Sequence, residues 1–244
     1  MRLKNILKST LTKYNYTVRC NDFDCNDKLN IVSILDYFQT VGGRQASELN
    51  VGYDEFKKQN LAWILVGVKF NILNDIYHDE DITIHTWPYN PNKLDHMRSF
   101  LIYRGDVLCV EGLSRWVLVD YTTHKITRTD ISYSNNDIKM LDLEMDNDFF
   151  RSNNYHEDLD YVYTFKVTLS DLDHYNHMNN SKYGIIIYNV LKGKNFKDLE
   201  IRYINQSILD DEISIYCEEK EEIMFIVGYN KKTDKTIFKA KVHF

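Results

Sequence analysis

No run in the 244-residue sequence approaches the roughly 20 consecutive apolar residues that a membrane-spanning helix requires. The first ten residues, Met-Arg-Leu-Lys-Asn-Ile-Leu-Lys-Ser-Thr, lack an apolar core with a small-residue cleavage site. Together these absences predict a cytoplasmic protein without a membrane span. Basic blocks are also missing, and the net charge is −6, which argues against a nucleic-acid partner. The four cysteines, Cys20, Cys25, Cys109 and Cys217, have no C-x-x-C spacing and no paired histidines, so neither a zinc site nor a disulfide framework is signalled. They are expected to be reduced and mostly structural. Only two prolines and nine glycines occur, and with the abundant Asn, Lys, Ile and Tyr they reflect an AT-rich coding bias rather than a physical demand. What remains is 43% hydrophobic, enough for a core in one large domain or two ordinary ones.

The densest chemistry lies in Asp171-Leu-Asp-His-Tyr-Asn-His-Met-Asn-Asn180. Tyr183, Ile186, Ile187, Val190 and Leu191 follow at helical spacing, and Asn179 or Asn180 stands where an N-cap belongs. Carboxylates, imidazoles and amides are thus gathered at a helix start, where backbone N–H groups and the helix dipole favour negative charge.

In chain order, residues 14–19 alternate like a strand and 21–27 read as a loop. Ile31, Ile34, Leu35, Phe38 and Val41 predict a buried helix over 30–49, with Gly42-Gly43 marking close packing or a break. Strand-like runs follow at 61–72, 82–87, 96–103 and 107–120, with a turn at Arg104-Gly-Asp106. Such a sheet must bury one face, and the only long helix available is 30–49. Residues 121–160 lose the pattern and read as a connection, with a short helix or an extended segment lying across a surface.

The second half repeats the first. Tyr161-Val-Tyr-Thr-Phe-Lys166 echoes Tyr14-Asn-Tyr-Thr-Val-Arg19, 147 residues on. Asp171-Leu-Asp173 echoes Asp22-Phe-Asp24 at 149, and each reaches an Asn, Asn179 or Asn30, six residues later. Strand-like runs recur at 199–205, 212–218, 223–229 and 236–244. The reading is a duplicated domain: residues 1–130, a linker at 131–160, and residues 161–244, packed as a pseudo-dimer within one chain, with a further homodimer left open. Lys28 occupies the first-half place of His177, so any reaction is expected in the second half.

The chain resembles the acyl-acyl carrier protein thioesterases. The resemblance is carried by Asp36-Tyr-Phe-Gln39 with Gly43-Arg44, Asn60-Leu-Ala-Trp63, Trp87-Pro88, Ser114-Arg-Trp116 through Asp120, and Asp171 through Asn180 with Tyr183. It implies an α+β fold of two tandem hot-dog domains, each an antiparallel sheet wrapped around a long central helix. It also implies hydrolysis of fatty acyl thioesters on the phosphopantetheine arm of acyl carrier protein, with no cofactor. Plant members carry an Asp, an Asn two residues on, a His two further, and a downstream Glu beside a Cys. Asp173 and His177 match the first and third; Tyr175 replaces the Asn, while Gln206 and Ser207 stand at the Glu-Cys pair.

On that resemblance Asp173 is base or nucleophile, His177 orients water or shares its proton, and backbone N–H groups at the start of the 180–191 helix receive the oxyanion. Gln206 can bind a water but cannot take its proton. Asn176 lies one residue from the expected amide. The plainer readings stand beside these. Asp171 and Asp173 serve equally as Asx-turn acceptors, His177 as a backbone-bonded histidine, His174 as a solvated loop residue, Asn179 and Asn180 as caps, and Ser207 as a weak nucleophile without a base. Metal ligation by the aspartates and His177 lacks a ligand spacing. Trp63, Trp87 and Trp116 are expected in the core. Lys93, Arg98, Arg104, Arg115, Lys125 and Arg128 are candidates for meeting an acidic carrier. The competing functions are an acyl-CoA thioesterase, a non-catalytic acyl-chain or carrier-binding protein, and, less favoured, a dehydratase.

Overall fold

A computed structural model describes residues 11–89, 94–128, 146, 148–151 and 156–244. Its strands are β1 (Thr12–Thr17), β2 (Leu61–Ile72), β3 (Asp81–Pro88), β4 (His96–Arg104), β5 (Val107–Asp120), β6 (Lys125–Thr127), β7 (Asp160–Lys166), β8 (Asp198–Tyr203), β9 (Glu212–Lys220), β10 (Ile223–Asn230) and β11 (Lys235–His243). The helices are α1 (Ile31–Glu48), α2 (Tyr53–Lys57) and α3 (Tyr183–Leu191). All described strands join one antiparallel sheet in the order β1-β3-β4-β5-β2-β8-β11-β10-β9-β7, with β6 on β5. The order mirrors itself about the β2–β8 seam, where Gly67 faces Arg202 and Asn71 faces Asp198.

α1 begins where the Asn30 side chain accepts a hydrogen bond from Ser33 N at 2.8 Å. The five positions that define its apolar stripe, Ile31, Ile34, Leu35, Phe38 and Val41, are all buried. Phe38 stacks on Phe100 with centroids 4.3 Å apart. It sits over Gly112, where a Cβ would come within 2.4 Å of its ring. α1 also meets α3 at Gly184, where a Cβ would lie 3.0 Å from Ile31 and 3.3 Å from Leu35. The sheet thus curls around both helices, although α3 has 9 residues against 18 in α1. Two small elements have no periodic signal and were not expected, α2 and β6.

Of the connection, residues 148–151 lie extended across the outer face of the seam. Lys69 Nζ on β2 donates to Asp148 O at 2.8 Å, and Arg202 on β8 donates to Phe150 O at 3.2 Å. Phe150 N donates to the Glu200 carboxylate. The buried Phe149 ring covers Gly67 and lies against the Lys69 and Arg115 cations. One short segment therefore grips a strand from each half.

Phe149→Ala should lower stability by ~3 kcal/mol through loss of a buried ring that nothing else can replace. Urea unfolding followed by circular dichroism checks this; a change below ~1 kcal/mol contradicts the role of Phe149 at the seam.

Candidate functional site

The polar loop folds before any helix begins. Asp173 Oδ1 accepts from Tyr175 N at 2.8 Å and His177 N at 3.1 Å. The backbone closes with Asp173 N donating to His177 O at 2.7 Å, and Asn176 takes a left-handed φ of 62°. Asp171 is buried and accepts from Thr168 N, while its carbonyl receives Asn179 N at 2.8 Å. Asn179 then caps the helical start by accepting from Ser181 N at 3.1 Å.

The first half builds the same loop. Asp24 Oδ1 accepts from Asn26 N and Lys28 N, Asp27 takes φ 57°, and Asp22 O receives Asn30 N. Each loop leans on the strand end that follows: Leu29 N donates to Ile76 O, and Met178 N to Ser207 O. Asn74 and Asn205 each donate their side-chain amide to a carbonyl of the adjoining strand end. By that register Gln206 is the counterpart of Asp75, as His177 is of Lys28. Lys28 and Asp75 form an ion pair at 2.9 Å beside a cavity of about 70 Å³.

In the second half no such pair forms, and a cavity of about 530 Å³ opens. Asp173, Tyr175, His177, Asn180 and Gln206 line it from the second half. α1, α2, the start of β2 and the start of β4 line it from the first. The other three expected residues lie elsewhere. Asn176 is exposed because its left-handed backbone turns it away, Asn179 is spent on the cap, and Ser207 is buried outside the lining. Among the described residues Ser207 Oγ has no partner of hydrogen-bond geometry, although the Tyr183 hydroxyl is near enough for the two to interact.

Only one Asp173 oxygen carries the loop's hydrogen bonds; the other, like the His177 ring, has no hydrogen bond among the described residues. At the helical start, Ser181 N and Lys182 N are bonded to Asn179, which leaves Asn180 N as the backbone donor there. Tyr203 donates its hydroxyl to Asn180 O at 3.0 Å and so fixes this turn. Burial raises the Tyr203 hydroxyl well above its ordinary value.

Several lining residues have no signal in the local pattern. Tyr175 packs against Tyr53 (5.6 Å between centroids), Tyr121 (5.9 Å) and His174 (4.2 Å). His174 is exposed on the loop, as a solvated residue is, and also borders the cavity; burial first, then the neighbouring Tyr53 and Tyr121, push the Tyr175 hydroxyl up to about 12. Trp63 and Trp116 line the cavity, and of the three tryptophans only Trp87 is buried in the core. Among the basic candidates Arg98 is buried and Arg104 is bound to Glu80, so neither offers a free docking charge; Lys93 lies outside the described residues. Cys20 and Cys25 are exposed rather than structural, and all four cysteines are free.

One antiparallel sheet curled around helices, with a loop-and-cap site at the junction of two repeats, defines an α+β protein of the tandem hot-dog class. Family models for the acyl-ACP thioesterase N-terminal and C-terminal domains match residues 9–134 and 155–244. The chain belongs to the acyl-ACP thioesterase family. An acyl-ACP thioesterase from Bacteroides thetaiotaomicron superposes with a TM-score of 0.86 at 20% identity, over 96% of this chain and 97% of that one. A 12:0-ACP thioesterase from Umbellularia californica gives 0.78 at 13% identity, over 97% and 98%. The chloroplastic oleoyl-acyl carrier protein thioesterase of Coriandrum sativum is 22% identical over 137 residues, 52% of this chain and 37% of the relative's length.

Asp173→Ala removes the loop's acceptor and should cost ~1–2 kcal/mol, whereas Asp173→Asn keeps an oxygen there and should cost less than half as much. Equal losses in urea unfolding would show that Oδ1 does not brace the loop.

Proposed function

We propose that this protein hydrolyses fatty acyl thioesters carried by acyl carrier protein, at the cavity lined by Asp173, His177 and Gln206. The observation that carries this reading is an asymmetry between equal loops. The Lys28–Asp75 pair closes one against the chemistry, while His177 and Gln206 leave the other open to a cavity long enough to involve both halves.

In the proposed reaction the free Asp173 oxygen or the His177 ring takes a proton from water. The water oxygen bonds to the carbonyl carbon, the C–S bond breaks, and the proton passes to the departing thiolate. Gln206 Nε2 and Asn180 N donate to the oxygen on which charge develops. Because Gln206 cannot accept a proton, Asp173 and His177 carry the base role. Asn180 and Tyr175 support by position; Asn176, Asn179 and Ser207 hold the loop and its foundation rather than touching substrate. The site needs no cofactor under this reading.

The mirrored strand order supports treating the chain as a pseudo-dimer, with halves 1–130 and 161–244 joined by 131–160. Both walls of the cavity come from one chain, so a homodimer is not needed to complete it. The reading includes a cytoplasmic location, an aqueous compartment suited to a carrier-bound substrate. The non-catalytic acyl-binding reading is favoured by one feature, the replacement of an amide by Tyr175 beside a loop whose aspartate is partly spent on bracing.

Purified protein incubated with matched panels of acyl-acyl carrier protein and acyl-CoA should release free acid faster from the carrier protein. Asp173→Asn should lower kcat ~100-fold or more. Faster release from CoA reassigns the carrier, and thioesters that bind yet stay intact on both carriers sink the hydrolase reading.

A further inference from the structure

The short helical turns that precede the two loops, Cys20–Asp22 and Leu169–Asp171, are equivalent, and so are the strand turns packed beside them. Val18 N donates to Glu80 O at 3.2 Å in the first half, and Val167 N to Asp211 O at 2.9 Å in the second. Asp79 and Asp210 both take a left-handed φ, 61° and 65°. At the offsets these bonds set, 149 and 131 residues, Cys20 corresponds to Leu169 and His78 to Leu209, both of them exposed leucines. The turns therefore form without a thiol or an imidazole.

In the first half the two positions carry chemistry instead. Cys20 is exposed, and its Sγ lies 3.3 Å from His78 Nε2. The other ring nitrogen, Nδ1, lies 2.8 Å from Asp79 Oδ2, and the ring rests against Phe23 with centroids 5.4 Å apart. A carboxylate on Nδ1 keeps the proton there, so in the neutral ring Nε2 is an acceptor facing the thiol. A thiol, a base within reach of its proton and a carboxylate that sets the tautomer of the base are the parts of an activated nucleophile. Asp79 sits on the nitrogen away from Sγ, so the three side chains do not converge on one point as metal ligands would. The other cysteines lack such a base. Cys25 Sγ meets the Tyr188 hydroxyl at 3.3 Å, and burial pushes the Cys109 and Cys217 thiols up.

We propose that Cys20 is a nucleophilic thiol, activated by His78 and Asp79, that exchanges with small-molecule disulfides and is thereby a site of reversible S-thiolation. The Sγ proton moves to His78 Nε2, Sγ bonds to one sulfur of the disulfide, the S–S bond breaks, and the departing thiolate takes the proton from the ring. One thiol and one disulfide give one mixed disulfide and one thiol, the small disulfide itself being the oxidant. Neither cavity described above includes Cys20 or His78, so the partner is defined by its reactive S–S bond and its access to an open surface rather than by a shaped pocket. The inference is independent of the thioesterase reading.

The test is site-resolved kinetics. The intact protein is exposed to limiting hydroxyethyl disulfide at neutral pH, quenched in acid, and its mixed disulfides are mapped by peptide mass spectrometry. Cys20 should be modified ~5-fold or more faster than Cys25, with Cys109 and Cys217 slower still. His78→Gln should bring Cys20 down to the rate of Cys25 while leaving Cys25 unchanged. Asp79→Asn, which keeps an oxygen but removes the charge, should lower the Cys20 rate about twofold or more. If His78→Gln opens Cys109 to the reagent, the substitution has cost the fold, and Asp79→Asn decides in its place. Cys25 reacting as fast as Cys20 in the unaltered protein overturns the proposal, as does a Cys20 rate that the deciding variant leaves unchanged.

Discussion

The structure turns on a carboxylate that accepts two backbone N–H groups six residues before a helix cap. Asp173 Oδ1 receives Tyr175 N and His177 N, which forces Asn176 into the left-handed region and delivers His177 to the cavity. Asp24 does the same for Lys28. One local device thus sets the place of the fourth residue after the aspartate, and the identity of that residue decides what the place can do. A lysine with an aspartate opposite closes on itself; a histidine with a glutamine opposite leaves its ring unbonded at a cavity.

The loop is useful only because the two halves share a sheet. β2 and β8 pair at the seam, the 148–151 segment grips both from outside, and α1 meets α3 at Gly184 inside. That arrangement sets the second-half loop against α1, α2 and the start of β2, so the cavity takes its polar end from one repeat and most of its apolar wall from the other. Neither repeat holds the site alone. Under the proposed function, duplication lets one loop carry the chemistry while its twin serves as scaffold.

Much of this was legible in the sequence for local reasons. Asn30 and Asn179 announce their helix starts, the stripe from Ile31 to Val41 announces its buried face, and the 149-residue offset between the loops survives unchanged in three dimensions. The parts that were not legible depend on distant chain segments meeting. Tyr53 and Tyr121 reach Tyr175 from the other half, a contact no spacing encodes. The pairing of Gln206 with Asp75 is hidden because α2 and a longer first helix intervene in one repeat, so the offset drops to 131 between loop and strand. Arg98 illustrates the same limit in reverse. An isolated arginine on a strand reads as a surface charge, and only the space left by Gly42 on α1 shows why it is buried.

The central claim is that two equivalent loops have divided the work, one catalytic and one structural. The most direct measurement compares kcat/KM of His177→Ala and Lys28→Ala on the same acyl thioester of acyl carrier protein. The account predicts a loss of ~100-fold or more for His177→Ala and a change within about twofold for Lys28→Ala, whose half-exposed ion pair is worth little. Comparable losses in the two variants, or a larger one at Lys28, would contradict it.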